Sequence, residues 1–184
     1  MTAPEIVGAV IDAFNYLRIP FMLVGSFSSN YYGRPRSTKD ADFVVQIDPK
    51  SLNPLANLLG DDFDLDRQMS FETITGTMRY RMHHRASAFM IELFELSSDA
   101  HDQMRFSRRV KTRFDGRDAY VPMAEDVIIT KLRWSKHGQR AKDVEDVRDV
   151  LRVQSGRLDL PYIRQWCDQH GTRELFERLL QAIR

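Results

Sequence analysis

Residues 23–42 read LVGSFSSNYYGRPRSTKDAD and end in two aspartates, Asp40 and Asp42, that are separated by one residue. An apolar run, Phe43 to Val45, follows directly, so we expect the pair to lie at the start of a buried strand. Side chains two apart on a strand point to the same face and stand about 6.6 Å apart along the chain. The spacing therefore predicts that both carboxylates converge on a site for divalent cations.

The segment before the aspartates has the pattern of a strand, a tight turn and a short helix. Phe21 to Val24 is apolar, Gly25-Ser26 supplies the turn, and the residues from Ser26 to Tyr32 favour a helix that ends before Gly33 and Pro35. A lone Asp-x-Asp pair is weak evidence, because most such pairs are solvated turns. With the preceding elements in this order, the segment resembles the minimal nucleotidyltransferase superfamily, whose signature is an apolar strand, Gly-Gly or Gly-Ser, a short helix and Asp-x-Asp in a second strand.

This resemblance implies an α/β fold with a short mixed sheet flanked by helices and followed by a helical C-terminal part. It also implies transfer of a nucleoside monophosphate from an NTP to a hydroxyl group, with Mg²⁺ or Mn²⁺ as cofactor. Asp40 and Asp42 would bind the two metal ions, which hold the attacking and leaving oxygens of the displacement. By the same resemblance the nucleotide would contact the helix N-terminus and the segment that leads to the aspartates, at Gly25, Ser26, Arg36 and Thr38.

Composition sets bounds on the architecture. The chain has 184 residues, 42% of them apolar, and its 27 basic and 26 acidic residues nearly cancel. We expect a core of residues 1–122 and a helical part of residues 123–184, packed together as one compact unit. The single cysteine, Cys167, favours a reducing cytoplasm, and the apolar runs are too short to span a bilayer. No affinity for polyanions follows from the net charge of +1.

Hydrophobic periodicity predicts helices at both ends of the chain and strands between them. Thr2 and Glu5 form a capping box for a first helix that ends before Pro20. From Phe71 to His83 the period changes to two, which is typical of one half-exposed antiparallel strand. The remaining predicted elements are strands at 40–47 and 89–96, a hairpin at 109–121, and helices at 49–59, 98–104, 124–136, 141–153, 161–170 and 172–183.

Glu92 is the candidate for a third carboxylate. It lies between apolar neighbours in the predicted strand 89–96, where a charged group is costly unless a metal ion or hydrogen bonds compensate. In the related enzymes such a residue completes the catalytic metal site and acts as base. A buried salt bridge to Arg79 or Arg81 is the alternative explanation. Glu95 is three residues further along and faces the opposite side of the sheet.

Lys131 lies near the middle of the apolar stripe of the helix that opens at Ala124. An inward-facing ammonium group must snorkel to solvent or meet an anion. We expect phosphate or a carboxylate there, with Lys131 beside Asp40 and Asp42. On this basis Lys131→Met should preserve or raise the stability of the nucleotide-free protein while weakening NTP binding.

The segments EDVIITKL at residues 125–132 and RAKDVED at residues 140–146 resemble the downstream motif of AbiEii-type abortive-infection toxins. By this resemblance Lys131 would contact nucleotide phosphates, with Arg140 and Asp143 at the edge of the site. An ion pair between Arg140 and Asp143 is the structural alternative. Helical geometry turns Arg140 and Asp143 inward and Lys142 outward.

The acceptor stays open at the level of sequence. A toxin-like enzyme would modify RNA or protein and would have an antitoxin as partner, whereas an aminoglycoside-type enzyme would modify a small hydroxylated molecule. A non-catalytic nucleotide-binding module is the rival outside enzymes. The basic run of residues 105–113 is either a solvated face or a surface for RNA. Residues 62–66 begin like a calcium loop but lack its glycine and glutamate, and residues 161–184 match no motif.

Overall fold

The computed structural model describes residues 1–73, 76–138 and 140–183. The strands are β1 (Phe21–Val24), β2 (Asp40–Val45), β3 (Phe63–Glu72), β4 (Thr77–His84), β5 (Met90–Glu95), β6 (Val110–Phe114) and β7 (Arg117–Val121). The helices are α1 (Ala3–Leu17), α2 (Gly25–Tyr32), α3 (Leu52–Leu59), α4 (Ala100–Ser107), α5 (Ala124–Gly138), α6 (Ala141–Val153), α7 (Leu160–His170) and α8 (Arg173–Gln181), and a short 3₁₀ helix (Pro49–Ser51) precedes α3.

Five strands form one mixed sheet in the order β1-β2-β5-β4-β3, and β6 pairs with β7 separately. Strands β2 and β5 are parallel, and the other pairs are antiparallel. This confirms the predicted α/β fold with a short mixed sheet flanked by helices. No described helix combines the length and apolar character that a bilayer span requires.

The predicted single strand from Phe71 to His83 is wrong. The chain reverses there, and Phe71 at the end of β3 pairs with Met78 at the start of β4. Gly76 has a φ of 68°, a left-handed conformation that favours glycine and suits a turn. Residues 74 and 75 of the predicted strand lie outside the described residues. The sequence analysis missed β3, whose first residues include part of the calcium-like segment.

Helix α1 covers one face of the sheet. Its start is fixed by the capping box, in which the Glu5 carboxylate accepts from the Thr2 backbone N–H at 2.7 Å and the Thr2 hydroxyl accepts from the Glu5 N–H at 3.4 Å. The buried Phe14 ring packs against Phe21 and Phe43, with ring centroids 5.2 and 5.3 Å away. The odd-numbered residues of β1, β2 and β5 therefore belong to the large core beneath α1 and α3.

The opposite face of the same strands carries the even-numbered residues. Toward one end this face is apolar, because Val24, Val44 and Phe94 pack around Phe106 of α4. Toward the other end it is acidic, since Asp40 and Asp42 precede Val44 on β2. The period of two thus places the carboxylates on a face that the main core does not use.

Helices α5 to α8 build a second hydrophobic cluster from residues 124–183, separate from the core of residues 6–121. Tyr32 at the end of α2 packs against both clusters. Its backbone oxygen also accepts a hydrogen bond of 2.8 Å from Gln154 at the end of α6. The division into parts at residue 122 remains a prediction.

Candidate functional site

The turn between β1 and α2 requires glycine at position 25. Gly25 has a φ of 62°, and a Cβ atom there would lie 1.9 Å from Oδ2 of Asp42. Any larger residue would therefore displace the carboxylate. Val24, the N-cap of α2, supplies no side-chain hydrogen bond to the helix start. The N–H groups of the first turn are thus left for an anion or water.

The three predicted carboxylates lie together because of the register of the sheet. Val24 of β1 is opposite Asp42, and Asp42 is opposite Glu92 of β5. Asp40, Asp42 and Glu92 all line one pocket, which we call the carboxylate pocket. Its described lining residues are Gly25, Ser26, Arg36, Asp40, Asp42, Glu72, Arg79, Glu92, Phe94, Lys131, Trp134, Arg140, Lys142 and Asp143.

Two carboxylates at the acidic end of this pocket have raised pKa values. Burial, together with the negative charges of Asp40 and Glu92, raises the pKa of the Asp42 carboxyl to about 7. The Asp42 side chain is partly exposed toward the pocket. Protein atoms nevertheless surround it so closely that desolvation is the largest cause of its raised pKa. Burial also raises the pKa of Glu92, against the opposing charges of Arg79 and Arg81. An additional positive charge would relieve this repulsion.

Glu92 forms the salt bridge that the sequence offered as an alternative. Nη1 of Arg79 lies 3.0 Å from Oε2 of Glu92, although the residue directly opposite Glu92 in the sheet is Arg81. Within the described ranges, no three His, Cys, Asp or Glu side chains stand in an arrangement ready for a metal ion. The contact with Arg79 engages one carboxylate oxygen of Glu92, Oε2.

The donor set nevertheless fits a hard divalent cation. Asp40 and Asp42 offer only oxygen atoms, which Mg²⁺ prefers. Burial and the charges of Asp40 and Glu92 raise the pKa of Asp42 despite the nearby Lys131 and Arg140, so a bound cation would favour its ionised form. The Thr38 hydroxyl donates a hydrogen bond to the carboxylate of Asp40. Thr38 is not among the pocket residues, and its contact with a nucleotide remains a prediction.

The basic end of the pocket is held by two buried carboxylates on α6. The Lys131 ammonium is 2.8 Å from Oδ1 of Asp143 and 2.9 Å from Oδ2 of Asp146. All three side chains are at least 93% buried. The anion that contacts Lys131 is therefore this pair of carboxylates. Asp40 and Asp42 line the same pocket, and the charge of Lys131 partly offsets the rise in the pKa of Asp42.

Asp146 organises the segment before β2 as well. Its two carboxylate oxygens accept from Nε and Nη2 of Arg36, both at 2.8 Å. Nη2 of Arg36 also donates to the Ser26 hydroxyl at 3.1 Å. The Asn30 side chain holds the Arg36 backbone through two hydrogen bonds. Its Nδ2 donates to the Arg36 backbone oxygen, and its Oδ1 accepts from the Arg36 backbone N–H.

Burial raises the pKa of Asp146, but the hydrogen bonds from Arg36 and the charge of Lys131 outweigh it and bring the pKa to about 2. Sequence analysis did not select this residue. Its spacing of three from Asp143 on an amphipathic helix places both on one face, which was the available signal.

Arg140 is the N-cap residue of α6, and its Nε lies 3.4 Å from Oδ2 of Asp143. The structural alternative, an ion pair between these residues, is thus present, and both residues also line the pocket. Lys142 is exposed, as expected, and is also among the pocket residues. Arg140, which was expected to face inward, is exposed as well. Sequence analysis also missed Glu72, Phe94 and Trp134 as lining residues.

The basic run of residues 105–113 is engaged within the protein. Each cation has a protein partner: Arg105 pairs with Asp102, Arg108 with Asp126, Lys111 and Arg113 with Asp118, and the Arg109 guanidinium lies over the rings of Phe106 and Tyr120. Arg105 is 95% buried. Lys111 and Arg113 remain largely exposed, so part of the run is a solvated face, whereas Arg105 belongs to the interior.

The fold is shared with solved nucleotidyltransferases. ANT(2'')-Ia in complex with adenylyl-2''-tobramycin superimposes with a TM-score of 0.63 at 10% identity, over 95% of this chain and 99% of that one. The chain has the nucleotidyltransferase fold. An antigenic nucleotidyltransferase-like protein from Paracoccidioides brasiliensis matches with a TM-score of 0.55 at 14% identity, over 97% and 92% of the two chains.

The lincosamide antibiotic adenylyltransferase LnuA, bound to lincomycin, matches with a TM-score of 0.53 at 10% identity, over 83% of this chain and 98% of that one. No family model and no curated protein matches the sequence. At these identities the likeness establishes the fold, and the proximity to AbiEii-type toxins remains a prediction.

Lys131→Met is expected to destabilise the protein by about 3–5 kcal/mol, because it removes the buried cation that Asp143 and Asp146 share. This reverses the expectation from sequence, which did not include Asp146. Lys142→Met is the matched control, since Lys142 is exposed and forms no ion pair with a described residue; it should change stability by less than about 0.5 kcal/mol. Urea unfolding measures both, and equal stabilities would contradict the buried ion-pair network.

Asp42→Asn is expected to stabilise the metal-free protein, and more so at pH 8 than at pH 5. The folded pKa of about 7 lies above the unfolded value, so the ionised carboxylate costs free energy. The cost is absent below about pH 4, grows as the pH rises to 7, and reaches at most about 4 kcal/mol above that. Urea unfolding in EDTA measures the difference, with the exposed Asp61→Asn as control. An Asp42→Asn protein no more stable than wild type at pH 8 would contradict the repulsion.

Proposed function

We propose that this protein transfers a nucleoside monophosphate from an NTP to a hydroxyl group and releases pyrophosphate. The observation that carries the proposal is the carboxylate pocket itself. It combines a strand-borne aspartate pair, an uncapped helix N-terminus at Gly25-Ser26 and five basic side chains in a nucleotidyltransferase fold. Polyphosphate is an anion suited to the basic end, and the acidic end provides for divalent cations.

In this proposal the triphosphate contacts the N-terminus of α2 and the cations at positions 36, 131, 140 and 142. Mg²⁺ or Mn²⁺, when bound at Asp40 and Asp42, supplies charge neutralisation at the α-phosphoryl group and the leaving pyrophosphate. Glu92 accepts the proton of the attacking hydroxyl after its carboxylate separates from Arg79. The acceptor oxygen forms a bond to the α-phosphorus. The bond between that phosphorus and the oxygen that bridges the α- and β-phosphates breaks, and pyrophosphate leaves.

The acceptor is RNA or protein if the enzyme is toxin-like, with an antitoxin as its regulating partner. A small hydroxylated molecule is the second candidate. It is favoured by the fold neighbours ANT(2'')-Ia and LnuA, whose structures contain adenylyl-tobramycin and lincomycin.

The activity is tested by incubating the protein with each α-labelled NTP, Mg²⁺ and cell extract. Label that RNase releases identifies RNA as acceptor, and label that protease releases identifies protein. A parallel reaction replaces the extract with an aminoglycoside or a lincosamide, and the product is separated by chromatography. Asp42→Asn protein is the control for each reaction. Absence of label in every reaction, together with absence of NTP binding, would contradict the proposal.

NTP binding is expected to depend on divalent cations, because the acidic end of the pocket otherwise repels the triphosphate. Calorimetry with Mg²⁺ and with EDTA measures this dependence. Asp42→Asn should abolish transfer while the thermal unfolding profile stays cooperative. Equal NTP affinity in Mg²⁺ and in EDTA would contradict the role of Asp40 and Asp42 as metal ligands.

Glu92→Gln and Glu95→Gln separate a catalytic carboxylate from a structural one on the same strand. Glu92 lines the pocket and Glu95 does not belong to its lining. We expect Glu92→Gln to slow transfer about 10²–10⁴-fold and Glu95→Gln to leave the rate nearly unchanged. Single-turnover rates measure both, and melting temperatures control for the loss of the Arg79 pair. The opposite ranking would contradict the assignment of Glu92 as base.

A further inference from the structure

The two tryptophans of the chain have contrasting environments. Trp166 is 92% buried in the second hydrophobic cluster, and its ring packs against His101, Tyr162 and His170 at centroid distances of 4.8, 6.4 and 5.7 Å. Trp134 keeps part of its surface exposed and lines the carboxylate pocket. Among the described residues, no ring stacks on Trp134 and no cation lies over it.

Trp134 is positioned by the same helix that carries Lys131. The two residues are three apart on α5, so their side chains lie on adjacent parts of one face. The ammonium of Lys131 is buried in its ion pairs, whereas Trp134, about one turn later, is partly exposed and belongs to the lining of the carboxylate pocket and of two smaller neighbouring cavities. A large apolar ring is therefore placed among ten charged lining residues.

The only other aromatic residue among the described pocket lining is Phe94. Its ring is 92% buried, packs in the small cluster beside α4, and has the Arg79 guanidinium 5.8 Å from its centroid. Phe94 is thus already covered by protein groups. Trp134 alone, among these lining residues, offers an aromatic surface that a planar ligand group can cover.

We propose that Trp134 is the stacking platform for the nucleobase of the NTP, an inference that rests on the proposed function. Every nucleobase has a π face, so stacking adds affinity without selecting one base. The phosphates contact the N-terminus of α2 and the basic residues, and the base extends toward α5. Trp134 is accordingly a binding residue, and it takes no part in the proton transfer.

Trp134→Ala separates base binding from phosphate binding when NTP is compared with inorganic tripolyphosphate, both in Mg²⁺ and both measured by calorimetry. We expect NTP affinity to fall about 5- to 150-fold. Tripolyphosphate affinity should stay unchanged, because this ligand has no base. Trp134→Phe should retain most of the NTP affinity, and melting temperatures verify that both variants fold.

A second measurement uses the fact that the chain has only two tryptophans. In a Trp166→Phe protein the fluorescence comes from Trp134, and NTP with Mg²⁺ should quench it, whereas tripolyphosphate should not. Unchanged NTP affinity in Trp134→Ala, or an equal loss for both ligands, would overturn the assignment. So would unchanged NTP affinity with a raised KM for the acceptor, which would place the acceptor on the indole. Wild-type protein that binds neither ligand would instead contradict the proposed function.

Discussion

The carboxylate of Asp146 is the interaction on which the arrangement of the pocket depends. It accepts hydrogen bonds or ion pairs from Arg36, Lys131 and Ser29, which lie on the segment before β2, on α5 and on α2. A buried carboxylate is stable only when its charge is matched, so these three segments cannot separate without exposing an uncompensated charge. The helical C-terminal part is thereby fixed against the turn that carries Gly25.

A division of charge within one pocket follows from this arrangement. Asp40, Asp42 and Glu92 come from the even-numbered face of β2 and β5, and burial together with their mutual repulsion raises the pKa of Asp42 to about 7. The basic groups come from the loop before β2 and from α5 and α6. The pocket lining holds five acidic and five basic residues, so it offers separate regions to cations and to phosphates rather than a uniform potential.

The pocket residues differ in how far they are already arranged to bind a ligand. Glu92 is engaged in a salt bridge with Arg79, whereas no described ring or cation covers the indole of Trp134. Gly25, Ser26 and Arg36 are held in place by hydrogen bonds and close packing. Glu92 is instead engaged with a cation from β4, and the exchange of that partner is part of the proposed catalytic cycle. The Arg79 and Glu92 side chains are only 18% and 20% exposed, so separating them requires a compensating charge, which a bound metal ion would supply to Glu92.

Sequence by itself determined the local features of this protein: the capping box at Thr2, the glycine turn at position 25 and the spacing of the aspartate pair. Each of these features depends on residues that are close together in the sequence, and the local backbone conformation fixes their relative positions. Only the tertiary structure decided that Glu92 meets Arg79 rather than Arg81, that Asp146 shares Lys131 with Asp143, and that Trp134 faces the pocket. These contacts join residues 12 to about 100 positions apart. Strand register and helix packing, which no local pattern specifies, bring them together.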